Sequence, residues 1–313
     1  MNIIRALVRY CGTLALTTLI VGMVSAAVAQ QSFKTPEAAA ENLVAGLRAG
    51  DNKAVNAILG PGGEEILSSG DSVQDENTRR LFLLAYDAKH SIMPRGDKFA
   101  LLIIGPEDFP FAIPIAKKGD RWAFDTAAGR EEVLARRVGR NEFGAIRACI
   151  GYHDAQYEYA ATMPKVDDMA VYAQRIVSSP GTKDGLYWPA AAGEPPSPLG
   201  EAVAAATLRG YRAGSGAPYQ GYYYKLLTRQ GRNAPGGAHD YIVQGKMIGG
   251  FALIAWPAEY GNSGIATFMI NHDGIVYEKD LGPKTAQIAG STTAFNPDDS
   301  WKKVNLMQIA TEQ

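Results

Sequence analysis

Apolar residues in the first third of the chain recur mainly at the three- and four-residue spacing of amphipathic helices. The first helix is predicted to begin at Thr35-Pro36, where a hydroxyl can cap the helix and proline occupies its first position. A second, short helix is expected over residues 52–59 and a third over residues 77–90. In the third helix, four residues are predicted to face the core: Leu81, Leu84, Ala85 and Ala88.

Runs of β-branched and aromatic residues predict three strands in this first half, over residues 99–104, 111–117 and 121–124. The helical pattern returns at 125–136. Residues 31–138 are therefore expected to form an α+β domain in which helices pack on a curved antiparallel sheet.

The second half begins with a longer helical pattern over residues 140–162 and ends in a series of strands. Residues 184–200 are rich in proline and glycine, yet Leu186, Tyr187 and Trp188 need burial, so an ordered loop is expected. A short helix is predicted over 201–209. Strands are predicted over residues 221–228, 239–243, 251–257, 265–271 and 275–279. Residues 139–313 are thus expected to form a second α+β domain, a long helix with an antiparallel meander.

Composition and charge narrow the function classes. The chain has 313 residues, enough for about two domains, and ordinary apolar and charged fractions. The formal net charge of −1 offers no electrostatic basis for binding nucleic acid, or for a general attraction to an anionic membrane surface.

The N-terminus resembles a secretory signal peptide. Arg5 and Arg9 precede an apolar stretch over residues 12–24, and small residues end at Ala29, the expected cleavage point. The alternative is an uncleaved anchor helix. Cleavage of residues 1–29 predicts a periplasmic or secreted protein with no transmembrane segment. It would leave Cys149 as the one cysteine, expected to be a buried thiol.

Three strings, over residues 124–142, 184–200 and 260–282, resemble a bacterial family catalogued as a domain of unknown function, DUF 2950. This resemblance implies a secreted or periplasmic protein and assigns no catalytic residue. The first half is also similar to the nuclear-transport-factor-two cone. Residues 155–160 and 266–282 are similar to the spine helix and final strands of type IV pilins. The prepilin cleavage motif is missing, which argues against a filament subunit and leaves protein binding open.

Candidate catalytic chemistry is sparse. The four histidines are not spaced as metal ligands, and Ser263 lacks the glycine pattern of a hydrolase elbow. A secreted hydrolase with its site at the domain junction is kept as an alternative, and a purely structural envelope protein as another.

Calcium is the one cofactor to be considered. Secreted pilin-like domains can hold this ion, and carboxylate and amide oxygens are its preferred ligands. Two pairs of oxygen-bearing side chains are weak candidates: Asp167 with Asp168, and Asn271 with Asp273.

Aromatic residues near proline and glycine loops are the strongest binding candidates, although core packing is the alternative explanation. The candidates are Tyr187, Trp188, Tyr223, Trp256 and Tyr260. At most alternate side chains of residues 222–224 can face inward, so Tyr223 or its neighbours are expected at the surface. The sequence therefore favours a non-enzymatic binding module whose partner is an envelope protein or a glycan.

Overall fold

A computed structural model describes residues 30–305, and the predicted signal peptide lies outside them. The first half contains four helices on a five-stranded antiparallel sheet of order β1-β2-β4-β5, with β3 beside β2. The helices are α1 (Pro36–Ala49), α2 (Asn52–Leu59), α3 (Gly63–Leu67) and α4 (Ser72–Ala88). The strands are β1 (His90–Arg95), β2 (Phe99–Ile104), β3 (Phe109–Pro110), β4 (Ile115–Lys118) and β5 (Arg121–Phe124). The predicted α+β class is confirmed.

Local signals set the limits of α1 as predicted. The Thr35 hydroxyl accepts a hydrogen bond from the backbone N–H of Ala38, and Gly50 ends the helix with a φ of 64°. Leu43 and Val44 then lie in a first hydrophobic core between the helices and the sheet.

The inward face predicted for α4 is wrong. Leu81 and Leu84 are 57% and 55% exposed, and Ala88 is exposed as well, whereas Ala85 is half-buried. The helix instead buries the adjacent face, with Phe82 5.4 Å from the ring of Phe111. Burying the face with the larger rings removes more apolar area from water.

Strand limits in this region also differ from the prediction. The helix ends at Ala88 and β1 begins at His90, so residues predicted as helix are partly strand. Pro94 hides this strand in the sequence, and it is tolerated because β1 lies at the edge of the sheet. The strand predicted over 111–117 is displaced to Ile115–Lys118.

One helix, α5 (Thr126–Thr162), replaces the two predicted over 125–136 and 140–162. Its 37 residues span roughly 55 Å without a break at Gly139. Val133 packs against the first core, and Ala145, Ile146 and Cys149 lie in a second core. The proposed boundary between residues 138 and 139 therefore falls inside a continuous helix that both cores share.

The second half is a five-stranded antiparallel sheet of order β17-β15-β14-β13-β8, with smaller pairings around it. The elements in chain order are β6 (Arg175–Val177), β7 (Gly185–Tyr187), α6 (Gly200–Leu208), β8 (Tyr222–Leu227), β9 (Arg229–Gln230), β10 (His239–Asp240), β11 (Ile242–Val243), β12 (Lys246–Met247), β13 (Ala252–Pro257), β14 (Ala266–Asn271), β15 (Tyr277–Asp280), a 3₁₀ turn (Gly282–Lys284), α7 (Thr285–Ser291), β16 (Ala294–Phe295) and β17 (Lys302–Lys303). The predicted meander on a long helix is confirmed, and β6–β7 and β9–β16 pair in parallel.

The two ends of the loop over residues 184–200 pack against the second core, as predicted for Leu186 and Trp188, whereas residues 189–196 are exposed. Leu186 is fully buried, Trp188 is buried, and Tyr187 is half-buried. Between residues 30 and 305, no helix combines the length and apolar character that a bilayer-spanning segment needs.

Candidate functional site

Strand register places five side chains in one line across the second sheet. Tyr223 on β8 is paired with Trp256 on β13, and Thr267 on β14 with Lys279 on β15. The β13–β14 register, which pairs Ala255 with Phe268, sets Trp256 beside Thr267 when extended by one residue. The β15–β17 register sets Lys279 beside Trp301 in the same way. The line Tyr223, Trp256, Thr267, Lys279 and Trp301 is called the aromatic row below.

The members of the aromatic row contact one another. The ring centroids of Tyr223 and Trp256 are 5.8 Å apart with planes tilted by 34°. The Lys279 ammonium lies 5.8 Å from the ring centroid of Trp301, and it donates a hydrogen bond of 2.6 Å to the Ser300 hydroxyl. Thr267 is fully buried and its hydroxyl has no partner, while the other four side chains are partly exposed. The row is thus a partly exposed aromatic and cationic strip with an unused hydroxyl beneath it.

Alternation along β8 directs the row away from α5. Tyr222 and Tyr224 lie on the helix side, and burial raises the pKa of both phenols. Tyr223 and Lys225, both half-buried, point to the opposite face. There the Lys225 ammonium donates to the Ala289 carbonyl, 3.2 Å away, at the C-terminal end of α7. The helix α7 therefore lies beside the row.

Tyr260 lies close to the aromatic row, beside the end of β15. Its hydroxyl donates to the Asp280 carboxylate over 3.1 Å, and this hydrogen bond is the main cause of the raised pKa of Tyr260. Asp280 follows Lys279 along β15. Three of the five predicted binding residues, Tyr223, Trp256 and Tyr260, therefore occupy one region.

Tyr187 and Trp188 occupy a different region. The ring of Trp188 packs 6.4 Å from Tyr159, near the C-terminal end of α5, and is only 9% exposed. The region of Tyr223, Trp256 and Tyr260 instead lies beside Glu142, whose carboxylate accepts a hydrogen bond from the Ala266 N–H over 2.9 Å. Tyr159 lies seventeen positions after Glu142 in the helix, a rise of about 25 Å. The five candidates thus form two groups rather than a single face.

Sequence reasoning missed Lys279 and Trp301. Their place in the row depends on the pairing register of β15 and β17, which lie more than twenty residues apart along the chain. The one signal in the sequence that could have pointed to this part of the row was Trp301, an aromatic residue directly before the two lysines of β17.

A polar cluster joins the two halves of the described chain. It consists of Asp71, Arg137 and Asn141 with their hydrogen-bond partners and is called the junction. The buried Asp71 carboxylate caps α4 at the Gln74 N–H and accepts from the Tyr211 hydroxyl and the Gly221 N–H, both over 2.9 Å. Gly221 has a φ of 78° and lies too close to Asn141 for any side chain. The carboxylate therefore fastens the start of α4 to the segment that enters β8.

Arg137 and Asn141 extend the junction from α5. The Asn141 amide donates to the Ser263 carbonyl over 2.9 Å and accepts from Gln74 over 2.9 Å. The Arg137 guanidinium donates to the Glu65 carbonyl over 2.8 Å and to the Asn262 side chain. Desolvation lowers the pKa of Arg137. These groups are used in bonds that tie the first half to the second.

Serine and carboxylate groups meet at the junction without histidine. The Ser69 hydroxyl donates to Asp75 over 2.6 Å, and burial raises the pKa of Asp75. His90 stacks on Tyr86 in the first half. His153 and His272 lie beside Phe251, and His239 beside Tyr241, towards the C-terminal end of α5. No Ser–His pair is formed within the described residues.

The calcium candidates do not form a cluster of metal ligands within the described residues. Asp167 and Asp168 form an exposed tight turn with φ of 48° and 61°. The Asn271 amide donates to the Asp273 carboxylate over 3.0 Å, so these two groups bond each other. Across residues 30–305, no three His, Cys, Asp or Glu side chains gather as metal ligands would. Calcium binding remains a prediction.

The fold and these clusters define an α+β protein with two cores on one long helix, a polar junction and a partly exposed aromatic strip. The chain belongs to the family described as protein of unknown function (DUF2950), whose model matches residues 30–304. The resemblance found in the sequence to this family is thus confirmed. Searches of the curated proteins and of the solved structures found no significant match.

Proposed function

We propose that this protein is an exported, non-enzymatic binding module of the cell envelope, and that the aromatic row holds a protein partner. Export rests on the signal-peptide pattern of residues 1–29. The observation that carries the binding proposal is the row itself, in which Trp256, Trp301 and Tyr223 remain partly exposed on one face of a sheet.

The chemistry of the row suits a protein interface. Tryptophan and tyrosine provide large contact areas at low conformational cost and dominate binding energy at such interfaces. Ile265 lies directly before β14 beside the row and is 42% exposed, which extends the apolar area. The Lys279 ammonium offers a charge for an acidic or carbonyl group of the partner.

The junction supports binding over hydrolysis. A serine hydrolase of the Ser–His type needs a histidine base within hydrogen-bond reach of its nucleophile. Ser69 is bonded to Asp75, and Ser263 donates its hydroxyl to the Glu259 carbonyl over 3.2 Å. These serines serve local structure, and the histidines lie in other parts of the described chain.

The test is site-specific photo-crosslinking in living cells. A photoreactive residue replaces Ile265 beside the row or, as a control of matched exposure, Val243 on β11, which is 43% exposed. We expect a defined protein adduct from position 265 and none from position 243. Trp256→Ala should abolish the adduct, and a circular-dichroism spectrum like that of the parent shows that the variant is folded.

Other outcomes contradict the proposal in distinct ways. Identical adducts from both positions would show non-specific proximity. Loss of binding to isolated cell-wall glycan in Trp256→Ala, with no protein adduct, would show that the ligand is a glycan. Turnover of an ester or amide substrate that Ser69→Ala abolishes would establish the hydrolase alternative.

A further inference from the structure

The outer face of α4 carries exposed apolar side chains beyond Asn77. Asn77, Leu81, Leu84 and Ala88 follow one another at four-, three- and four-residue steps and so form a single stripe. Leu81 and Leu84 are more than half exposed. Exposed leucines arranged at helical spacing mark an interaction surface more often than scattered ones do.

The helix α6 has the same property in a stronger form. It reads GEAVAAATL, contains no buried residue, and carries Glu201 as its one charged side chain. Leu208 at its end is 91% exposed. A leucine with nearly its whole side chain in water makes no contribution to the core.

The two apolar elements are neighbours. The Asn77 side chain donates to the Arg209 carbonyl over 2.8 Å, and Gly210 lies against the Val73 side chain. Leu208 directly precedes this contact, and Leu81 lies one helical turn, about 6 Å, beyond it along α4. Leu208 and Leu81 therefore both lie close to the contact between Asn77 and Arg209, and the exposed surface of Leu81, Leu84 and Leu208 is called the apolar ridge.

Arginines without carboxylate partners flank the ridge. Arg80 donates weakly to Asn77, and Arg209 donates to the Tyr219 hydroxyl over 2.8 Å. Arg212 follows on the same segment and is exposed. Among the ion pairs of the described residues, none includes these three, whereas the nearby Arg79 is paired with Glu76. Glu201 lies two helical turns from Leu208.

We propose that the apolar ridge is a peripheral membrane contact, in which the leucines enter the interface of an anionic bilayer. Arg80, Arg209 and Arg212 would then meet the lipid phosphates. Cations without carboxylate partners beside exposed leucines complement a surface that is negative outside and apolar beneath. The end of α6, where Leu208 is 91% exposed, can enter the interface of a planar bilayer without a matching cavity. The net charge of −1 gives no overall attraction, so the local cluster orients the protein.

The first experiment places an environment-sensitive fluorophore on the ridge of the full chain. Leu84→Cys is labelled in a Cys11→Ser background, since Cys149 is buried and burial raises the pKa of its thiol to about 12. A local probe reports the ridge itself, whatever residues 1–29 do. Ile288→Cys on α7, 41% exposed, is the matched control.

We expect vesicles of phosphatidylglycerol and phosphatidylcholine to shift the emission maximum of the probe at position 84 to the blue and to increase its fluorescence intensity. Position 288 should not respond. Pure phosphatidylcholine should give a weaker response, and salt should reduce the response to the anionic vesicles. Adding Leu208→Ser should weaken vesicle affinity about tenfold, because one leucine no longer enters the interface. Arg80→Gln with Arg212→Gln should remove the preference for anionic lipid.

Three results would overturn the proposal. A silent probe at position 84 would show that the ridge does not meet lipid. Equal responses at positions 84 and 288 would show non-specific adsorption. A blue shift that grows with protein concentration in the absence of vesicles would show that a second copy of the chain covers the ridge instead.

Discussion

The Cys149 side chain lies inside the second core, where α5 faces the sheet, and its burial raises the pKa of the thiol to about 12. We therefore predict that iodoacetamide at about pH 8 leaves Cys149 unmodified in the native protein and alkylates it in urea, because the thiolate is the reactive form. Mass spectrometry of peptides containing Cys149 measures the extent of alkylation in the native and in the urea-denatured protein. Rapid alkylation under native conditions would mean that the core opens far more often than its packing indicates.

Asp184 is a partly exposed carboxylate that organises the turn before Trp188. It accepts from the Ser179 N–H over 2.7 Å, and from the hydroxyls of Thr182 and Ser179 over 2.8 Å each. These hydrogen bonds, led by the backbone bond to Ser179, lower the pKa of Asp184 to about 2.

The pH dependence follows from the sign of this shift. The folded pKa lies below the ordinary value of 3.8, so Asp184 contributes stability above that value and loses it as the pH falls towards about 2. We predict that Asp184→Asn lowers the free energy of unfolding at pH 6, and that its difference from the parent shrinks between about pH 4 and pH 2. Urea titrations at several pH values measure this difference. A difference independent of pH would contradict the assignment.

At the scale of elements, the continuity of α5 can be tested with two of its glycines. At Gly139 an added Cβ meets nothing within 4 Å, while at Gly129 it would lie 2.6 Å from the Ala112 carbonyl oxygen and from the Ile113 Cα. We predict that Gly139→Ala stabilises the protein by about 0.5–1 kcal/mol, because alanine is the better helix former.

Gly129→Ala is the matched substitution in the same helix and should instead destabilise the protein clearly, since backbone atoms must move. Urea denaturation of both variants gives the two changes in the free energy of unfolding. If Gly139→Ala were as harmful as Gly129→Ala, the helix would not be continuous through residue 139.

The sequence placed most elements of the second sheet correctly and misjudged α4 and α5. Strands such as β13 and β14 are bounded by glycine and turn signals, which act over a few residues. In α4, by contrast, apolar residues occupy two adjacent faces, and packing selected the one with Phe82 and Tyr86. A local pattern cannot decide between two apolar faces of one helix.

At the scale of the whole molecule, the junction makes the two halves depend on each other. Asn141 is fully buried and bonds both Gln74 in the first half and Ser263 in the second. Asn141→Ala leaves both partners without their bonds, and we expect it to lower the free energy of unfolding by about 1–3 kcal/mol. Asn42→Ala, at an exposed position of α1, should change it by less than about 0.5 kcal/mol.

The same substitution should affect cooperativity. If the junction couples the two cores, Asn141→Ala will broaden or split the unfolding transition seen by circular dichroism and by tryptophan fluorescence. Loss of stability with a single sharp transition by both probes would show that α5 alone transmits unfolding between the halves.

The sequence by itself determined the features that depend on neighbouring residues: the caps of α1, most strands of the second sheet and the burial of Cys149. It also determined the membership of a family of unknown function. Capping, turn chemistry and hydrophobic alternation depend on neighbouring residues, so they can be read along the chain. Tertiary structure alone decided that Tyr223, Trp256, Lys279 and Trp301 form one line, and that Trp188 lies elsewhere. It also decided that Leu81 and Leu84 are exposed. Strand register and the choice of a buried face are set by contacts between distant segments, and no local pattern of residues contains them.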